Sequence, residues 1–500
     1  MALTFDAIPL SIRVPGSYIE FSNRSAARGL PGMPARILML GQMLATGTAT
    51  PLQPVEVTRS AAAEGLFGRG SMLHREVRAL KRQNPYTECI VIPQLDLVAG
   101  TAAIGAWTFG GTVTQAGTLS LYVNGQRVRV GVAAAEANAA TATAVQAAIA
   151  AETDLPVTAA LDGSNPAKVN LTARHKGTNG SAIDLRTNLY PGEVLPLGLT
   201  VTPTAMSGGA GNPDVAAAIA MMGDTWFTDV VMPWSDAANL TALETELARR
   251  WGPMVQQDGF AYVGARGTHA GLTTLGTGRN SQLVAVMGAD AAPTSPEEWA
   301  AAVAGIAAYE RTIDPARALT SLPLRGIIGP VGADRFNWEE RDLLLRRGIS
   351  TFRVDADGTV RIERLITTYQ KNAYGAADDS YLEAATLWNL ASVRYAFATR
   401  IAQRFQRMKL AADESLAARG MNVATPRTIA GELIAVYADL IDAGRCQDMA
   451  GFKRDLIVEI DPADPNRVNA RLAVRLIGNL YVFAASIDFG FGTGDLPLAA

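Results

Sequence analysis

The sequence predicts a multidomain α/β protein: a mixed α/β body, a small inserted β-rich domain, an α+β C-terminal domain and extended arms at both ends. Three observations carry that expectation. Over residues 212–350, apolar runs of buried-strand length alternate with amphipathic helical patterns, as in a largely parallel sheet covered by helices. Over residues 99–206, Ala, Thr, Gly and Val dominate, and Ser207-Gly208-Gly209-Ala210-Gly211-Asn212-Pro213 closes the stretch like a flexible joint. Both chain ends carry β-forming sequence with no helical face to pack.

Residues 1–24 read as an arm, because Ile12, Val14, Tyr18 and Ile19 are β-formers and Pro15-Gly16 interrupts any helix. Residues 25–98 open the body with apolar Ile37-Leu38-Met39-Leu40, a helix near 71–83 and a strand at 89–92. The inserted domain spans 99–211. Its segment 118–132 alternates as a hairpin about Asn124-Gly125, an alanine-rich helix covers 133–151, and short strands fall at 168–173 and 183–185. The body resumes over 212–350 with strands at 227–233, 260–265 and 282–288. A helix between the first two lines up Leu240, Leu243, Leu247 and Trp251. Ser295-Pro296-Glu297-Glu298 opens the next helix as N-cap, first-turn proline and reciprocal cap; Asn337 and Glu340 repeat the device, and Gly348 ends that helix.

The C-terminal domain is placed at 351–465. Phe352, Val354, Val360 and Ile362 form two strands around the turn Asp357-Gly358. A long helix over 381–410 carries Val393, Phe397, Ile401, Phe405 and Met408 on one stripe, and a second helix over 428–443 ends at Gly444. Strands follow at 456–460 and 469–483. Residues 466–500 are read as a C-terminal strand and arm, with Leu472, Val474 and Leu476 on one face.

Five hundred residues exceed one ordinary core. A formal net charge of -3 offers no global attraction for nucleic acid. Cys89 and Cys446 fit no disulfide framework or metal spacing, which suits a reducing cytoplasm. The N-terminus lacks the pattern of a cleaved signal, and the apolar run 37–45 is far below the ~20 residues that span a bilayer, so a soluble chain without membrane insertion is expected.

An α/β body raises the question of nucleotide chemistry, but no Gly-Lys dipeptide occurs and no GxGxxG follows the 260–265 strand; glycine-rich 264–278 reads as a turn-rich connection. His74, His175 and His269 fall in separate segments without HExxH, and no GxSxG is present, so neither a metal nor a catalytic site is expected. Asp355-Ala356-Asp357-Gly358 starts like a calcium loop but has Ile366 at the twelfth position; a turn is expected there. No cofactor is called for. One charged feature stands out: Arg394, Arg400, Arg404, Arg407 and Lys409 come without an acidic residue over 391–410, and Arg400, Arg404 and Arg407 follow i, i+4, i+7 spacing. They are either a solvated face or a docking stripe for an acidic partner.

Two stretches resemble a known family. Pro15-Gly16-Ser17-Tyr18-Ile19-Glu20 is similar to the entry segment of contractile tail sheath proteins. The more specific match is Arg347-Gly348-Ile349-Ser350-Thr351-Phe352, then residues 357–370 (DGTVRIERLITTYQ) and Asp379-Ser380-Tyr381-Leu382, which resemble the sheath of Mu-like myophages; residues 225–236 (TWFTDVVMPWSD) fit the same family. The resemblance implies a structural subunit, not an enzyme, that forms a helical homo-oligomer around a tail tube. Baseplate and tail terminator proteins would be further partners, with no nucleic acid bound. It also implies assembly in the host cytoplasm, residence in the virion tail, and contraction that drives the tube through the host envelope during genome delivery.

On this reading the arms bearing Ile12, Val14, Tyr18, Ile19, Leu472, Val474 and Leu476 pair with a neighbour's hairpin at Phe352, Val354, Val360 and Ile362, and Arg400, Arg404 and Arg407 face the tube. An arm of ~20 residues at ~3.3 Å per residue reaches ~65 Å. The rival readings are an α/β enzyme with an unrecognised site and a surface-adhesion module on a carrier body.

Overall fold

The computed structural model describes residues 30, 32–416, 422–487 and 489, so Ile12, Val14, Tyr18 and Ile19 lie outside the described residues. The chain divides into a larger unit, Pro34–Asn389 with Asn479–Ala500, and a smaller one, Met1–Met33 with Leu390–Gly478.

The larger unit opens with β1 (Arg36–Gln42), β2 (Val55–Glu56), α1 (Ala62–Phe67), α2 (Met72–Gln83) and β3 (Glu88–Gln94). Ile37 to Leu40 are fully buried, as a parallel strand covered on both faces requires. Ser71 caps α2 by accepting the His74 N–H.

The insertion follows as β4 (Ala102–Gly111), β5 (Gly117–Val123), β6 (Gln126–Val132), α3 (Asn138–Ala151), β7 (Val157–Leu161), β8 (Lys168–Lys176), β9 (Leu185–Thr187) and β10 (Leu199–Ser207). Its sheets run β10-β4-β8-β7 and β6-β5-β9, and with α3 they enclose a core of their own around Trp107, Leu121, Val145 and Leu171. Asn124 and Gly125 take φ of 52° and 75°, the left-handed pair that a two-residue hairpin turn needs. The glycine-rich joint is not free. Thr101 and Ala210 exchange both backbone hydrogen bonds, and the Asn212 amide donates to Thr178 and Asp236. These polar anchors fix backbone that the glycines alone would leave mobile.

The body continues through α4 (Val215–Ala220), β11 (Asp229–Met232), α5 (Ala237–Trp251), β12 (Phe260–Arg266), α6 (His269–Thr277), β13 (Val284–Ala289), α7 (Pro296–Ile313), α8 (Trp338–Leu345), β14 (Ile349–Val354) and β15 (Val360–Arg364). One eight-stranded sheet results, ordered β15-β14-β13-β12-β11-β1-β3-β2. Its inner pairs are parallel and its two outermost pairs antiparallel. Gly264 allows α7 to lie close on β12, since a Cβ there would overlap the Pro296 carbonyl. Asn337 and Glu340 form the expected capping box, but Ser295 does not cap α7: its hydroxyl accepts from Arg75 and donates to Glu298. The expected boundary at 350 also shifts. Val286 and Met287 pair with Ile349 and Ser350, so β14 and β15 complete the body sheet and do not open a new domain.

α9 (Ala384–Phe405) starts in the larger unit and enters the smaller, which adds β16 (Lys409–Leu410), β17 (Val423–Ala424), α10 (Pro426–Asp442), α11 (Met449–Asp455), β18 (Ile457–Ile460) and β19 (Val468–Arg471). Val393 and Phe397 are buried with Leu433, Val436, Tyr437 and Phe452, while Ile401 and Phe405 pack at the margin. The helix expected to reach 410 stops at Phe405: Arg407 is left-handed at φ 64°, and Lys409–Leu410 joins β17.

Beneath α7, Arg311 donates to Asp229 at 2.7 Å, and the Tyr262 hydroxyl donates to the other carboxylate oxygen at 3.0 Å, all three groups being buried. Burial, reinforced by the Asp229 charge, raises the Tyr262 phenol well above its ordinary value. Removing one member of such a pair strands the other charge. Arg311→Met is expected to lower unfolding stability by about 3–5 kcal/mol in urea titration, and Arg311→Met with Asp229→Asn by clearly less.

Candidate assembly interface

The chain's C-terminal stretch leaves the β18–β19 ribbon and is first anchored, then released. Tyr437 stacks on Phe452 with ring centroids 3.8 Å apart, and its hydroxyl donates to the Gln447 carbonyl at 2.5 Å while accepting the Arg475 N–H at 3.2 Å. The Gln447 N–H donates to Arg475 O, and the Ile477 N–H to Arg445 O. Leu472, Val474 and Leu476 do share a face, but that face packs against the smaller unit's own core. Within this chain they therefore act as anchors.

Past Ile477 no described residue joins a strand ladder, yet large apolar side chains continue: Leu480, Val482, Phe483 and Ile487 are 79%, 78%, 83% and 86% exposed. One tether interrupts the run. Tyr481 lies under the Arg364 guanidinium, 4.8 Å from its ring centroid, and burial, followed by the Glu383 charge, raises its phenol pKa.

The hairpin of Phe352, Val354, Val360 and Ile362 forms in the expected register, with Phe352 opposite Ile362 and Val354 opposite Val360. Its outer edge is already occupied. Ser321 N–H donates to Ile362 O, Ile362 N–H to Leu322 O, and Leu324 N–H to Val360 O, at 2.7, 3.0 and 2.8 Å. Phe352, Val360 and Ile362 are buried as well. Within this chain, an incoming arm would find no unpaired ladder on that edge. By contrast, β18 and β19 form a two-stranded sheet, the least satisfied kind, with an outer edge on each strand.

The arginine stripe is neutralised from a neighbouring helix. Arg400 donates to Glu432 and Asp439 of α10 at 3.2 and 3.0 Å, and Arg404 reaches Glu432 at 3.3 Å. Arg404 remains 61% exposed. Arg407 lies beyond the helix, so the i+7 position that would align it with Arg400 is lost. The carboxylates lie 32 and 39 residues downstream of Arg400, beyond the window that showed the charge excess.

The three histidines have hydrogen-bonding duties. His74 Nδ1 accepts from Gly70 N–H, His175 accepts the Met72 N–H through Nε2 and faces Asp96 through Nδ1, and His269 meets the Glu340 carbonyl. Burial pushes the Cys89 thiol up to about 12 and the Cys446 thiol to about 11, which removes thiolate character from both. Among the described residues no three His, Cys, Asp or Glu side chains form a metal group, and no helix is long and apolar enough to cross a membrane.

The described residues thus combine an exposed apolar run over 480–487 with a two-stranded ribbon at 457–471. The family model for the phage tail sheath protein central domain matches residues 208–368, which run from the end of the insertion to β15. Over 489 residues the sequence is 39% identical to the Mu-like prophage FluMu tail sheath protein of Haemophilus influenzae, covering 98% of this chain and all of that protein. The chain belongs to the phage tail sheath family. Among solved structures, a chain of the six-fold symmetrised anti-feeding prophage baseplate superposes with a TM-score of 0.50 at 10% identity, covering 96% of this sheath protein and 99% of that chain. The sheath tail protein of Desulfitobacterium hafniense gives 0.49 at 14% identity, covering 93% and 97%.

Proposed function

We propose that this sheath protein polymerises helically around a tail tube and contracts to drive the tube through the host envelope during genome delivery. Subunits would assemble in the host cytoplasm and end in the virion tail, bounded by baseplate and tail terminator proteins. Two observations in separate units carry the reading: the exposed apolar run from Leu480 to Ile487, and a two-stranded ribbon, β18–β19, with an outer edge on each strand. A strand added to β18 or β19 of another copy would satisfy backbone donors and acceptors together and cover those side chains. The residues leading to it would stay free to bend, so bodies could slide and rotate while remaining joined. Contraction is then release from a kinetically trapped lattice into one with more buried contacts, with no need for a nucleotide.

Deleting residues 1–20 or 480–500 is expected to leave a cooperatively folding body that forms no ordered tubes in electron micrographs. Normal tubes from both truncations would refute assembly through exchanged ends.

The tube contact narrows to Arg404 and Arg407, the stripe members that keep a guanidinium exposed. Each exposed pair with a tube carboxylate would contribute only ~0.2–1 kcal/mol, weak singly and breakable as contraction passes. Arg404→Glu with Arg407→Glu is expected to abolish co-sedimentation with purified tubes at low salt while sparing tube-free polymerisation. Unchanged co-sedimentation would move the contact off α9.

A further inference from the structure

Where the insertion meets the body, a cleft of about 250 Å³ is lined by Arg78, Arg82, Asn124, Thr294, Glu298 and Arg325 among others. Its charges do not balance. Glu298 is shared by Arg75, Ser295 and Asn124, and Arg78 gives one nitrogen to Asp154 at 3.2 Å. The guanidinium groups of Arg82 and Arg325 have no carboxylate partner among the described residues. Gly326 makes this arrangement possible. It sits at φ 79°, and a Cβ there would overlap Arg82 Nη1, so the guanidinium lies directly on bare backbone. In the opposite wall the Asn124 amide spends its nitrogen on Glu298, while its Oδ1 is buried without a donor.

We propose that this cleft binds a small phosphate monoester carrying hydroxyl groups, such as a sugar phosphate. Planar guanidinium forks match phosphoryl oxygens in pairs, so Arg82 and Arg325 would hold the phosphate with Arg78 in support. A hydroxyl of the attached group would donate to Asn124 Oδ1. The volume lies just under the ~300 Å³ at which ordinary ligand pockets begin, enough for a phosphate and one ring but not for a polymer. Glu298 at the wall adds a repulsive element against more highly charged diphosphates. The bound ester would tie the Asn124-Gly125 turn to α2 and the 325–328 segment, stiffening the junction between insertion and body. This site is independent of the assembly reading.

Titration calorimetry of the full-length chain with glucose 6-phosphate tests the proposal, with glucose as the uncharged control. Flotation with vesicles containing phosphatidic acid separates a surface-borne phosphate from a soluble one: binding to the sugar phosphate alone marks a soluble ligand, and binding to both a ligand that a surface can present. Arg82→Gln and Arg325→Gln should each weaken glucose 6-phosphate binding about tenfold or more, and the double variant should abolish it. Gly326→Ala, which displaces the Arg82 head, should weaken it too, while Arg346→Gln just past α8 should not. Hydrogen exchange at residues 124–126 should slow on binding. Arg325 is exposed and its side chain forms no ion pair among the described residues, so Arg325→Gln decides the matter if Arg82→Gln disturbs folding. No binding at millimolar glucose 6-phosphate, or equal binding by Arg325→Gln, overturns the proposal.

Discussion

Every strand of a sheet must find partners for its backbone groups, and the eight-stranded sheet of this sheath protein finds nearly all of them within its own chain. At one edge β15 is paired on its inner side to β14 and on its outer side to residues 321–324. At the other edge β2 is only two residues long, too short to template another chain. Among the described residues the body sheet thereby keeps little free edge, whereas the two-stranded ribbon β18–β19 keeps an outer edge on each strand. Rigidity of the body and openness of the smaller unit are two sides of one hydrogen-bond requirement.

Polar anchors extend that rigidity to the insertion. Arg75 reaches Glu297 and Glu298 at the start of α7, and the same two carboxylates accept from Asn179 and Asn124 of the inserted domain. Arg186 donates to the Ala291 carbonyl and Arg69 pairs with Asp154. With Thr101 and Ala210 bridged at its root, the insertion is held as part of the larger unit. A force applied to the body would therefore pass into the insertion without a hinge at the glycine-rich root.

What could be read from the sequence follows from which interactions are local. β11, β12 and β13 were legible because strands buried on both faces must be continuously apolar. The Asn337–Glu340 box and the Asn124-Gly125 turn were legible because each is complete within four residues. What was not legible depends on distant partners. Nothing near Ser295 announces Arg75, two hundred and twenty positions away, which draws its hydroxyl off the cap. The alternation of Leu472, Val474 and Leu476 gave their common face but not its partner, since one strand pattern serves an intramolecular core and an exchanged arm equally. The arginine stripe likewise looked unpaired until α10 brought Glu432 and Asp439 beside it.

In the proposed assembly, residues 480–487 pass to an adjacent copy. Cryo-electron microscopy of tubes formed by the purified protein would trace that segment directly. The expected density leaves its own body and adds a strand to β18 or β19 of an adjacent copy, covering Leu480, Val482 and Ile487. Tubes in which the segment folds back on its own chain, with both ribbon edges unpaired, would contradict assembly by strand exchange.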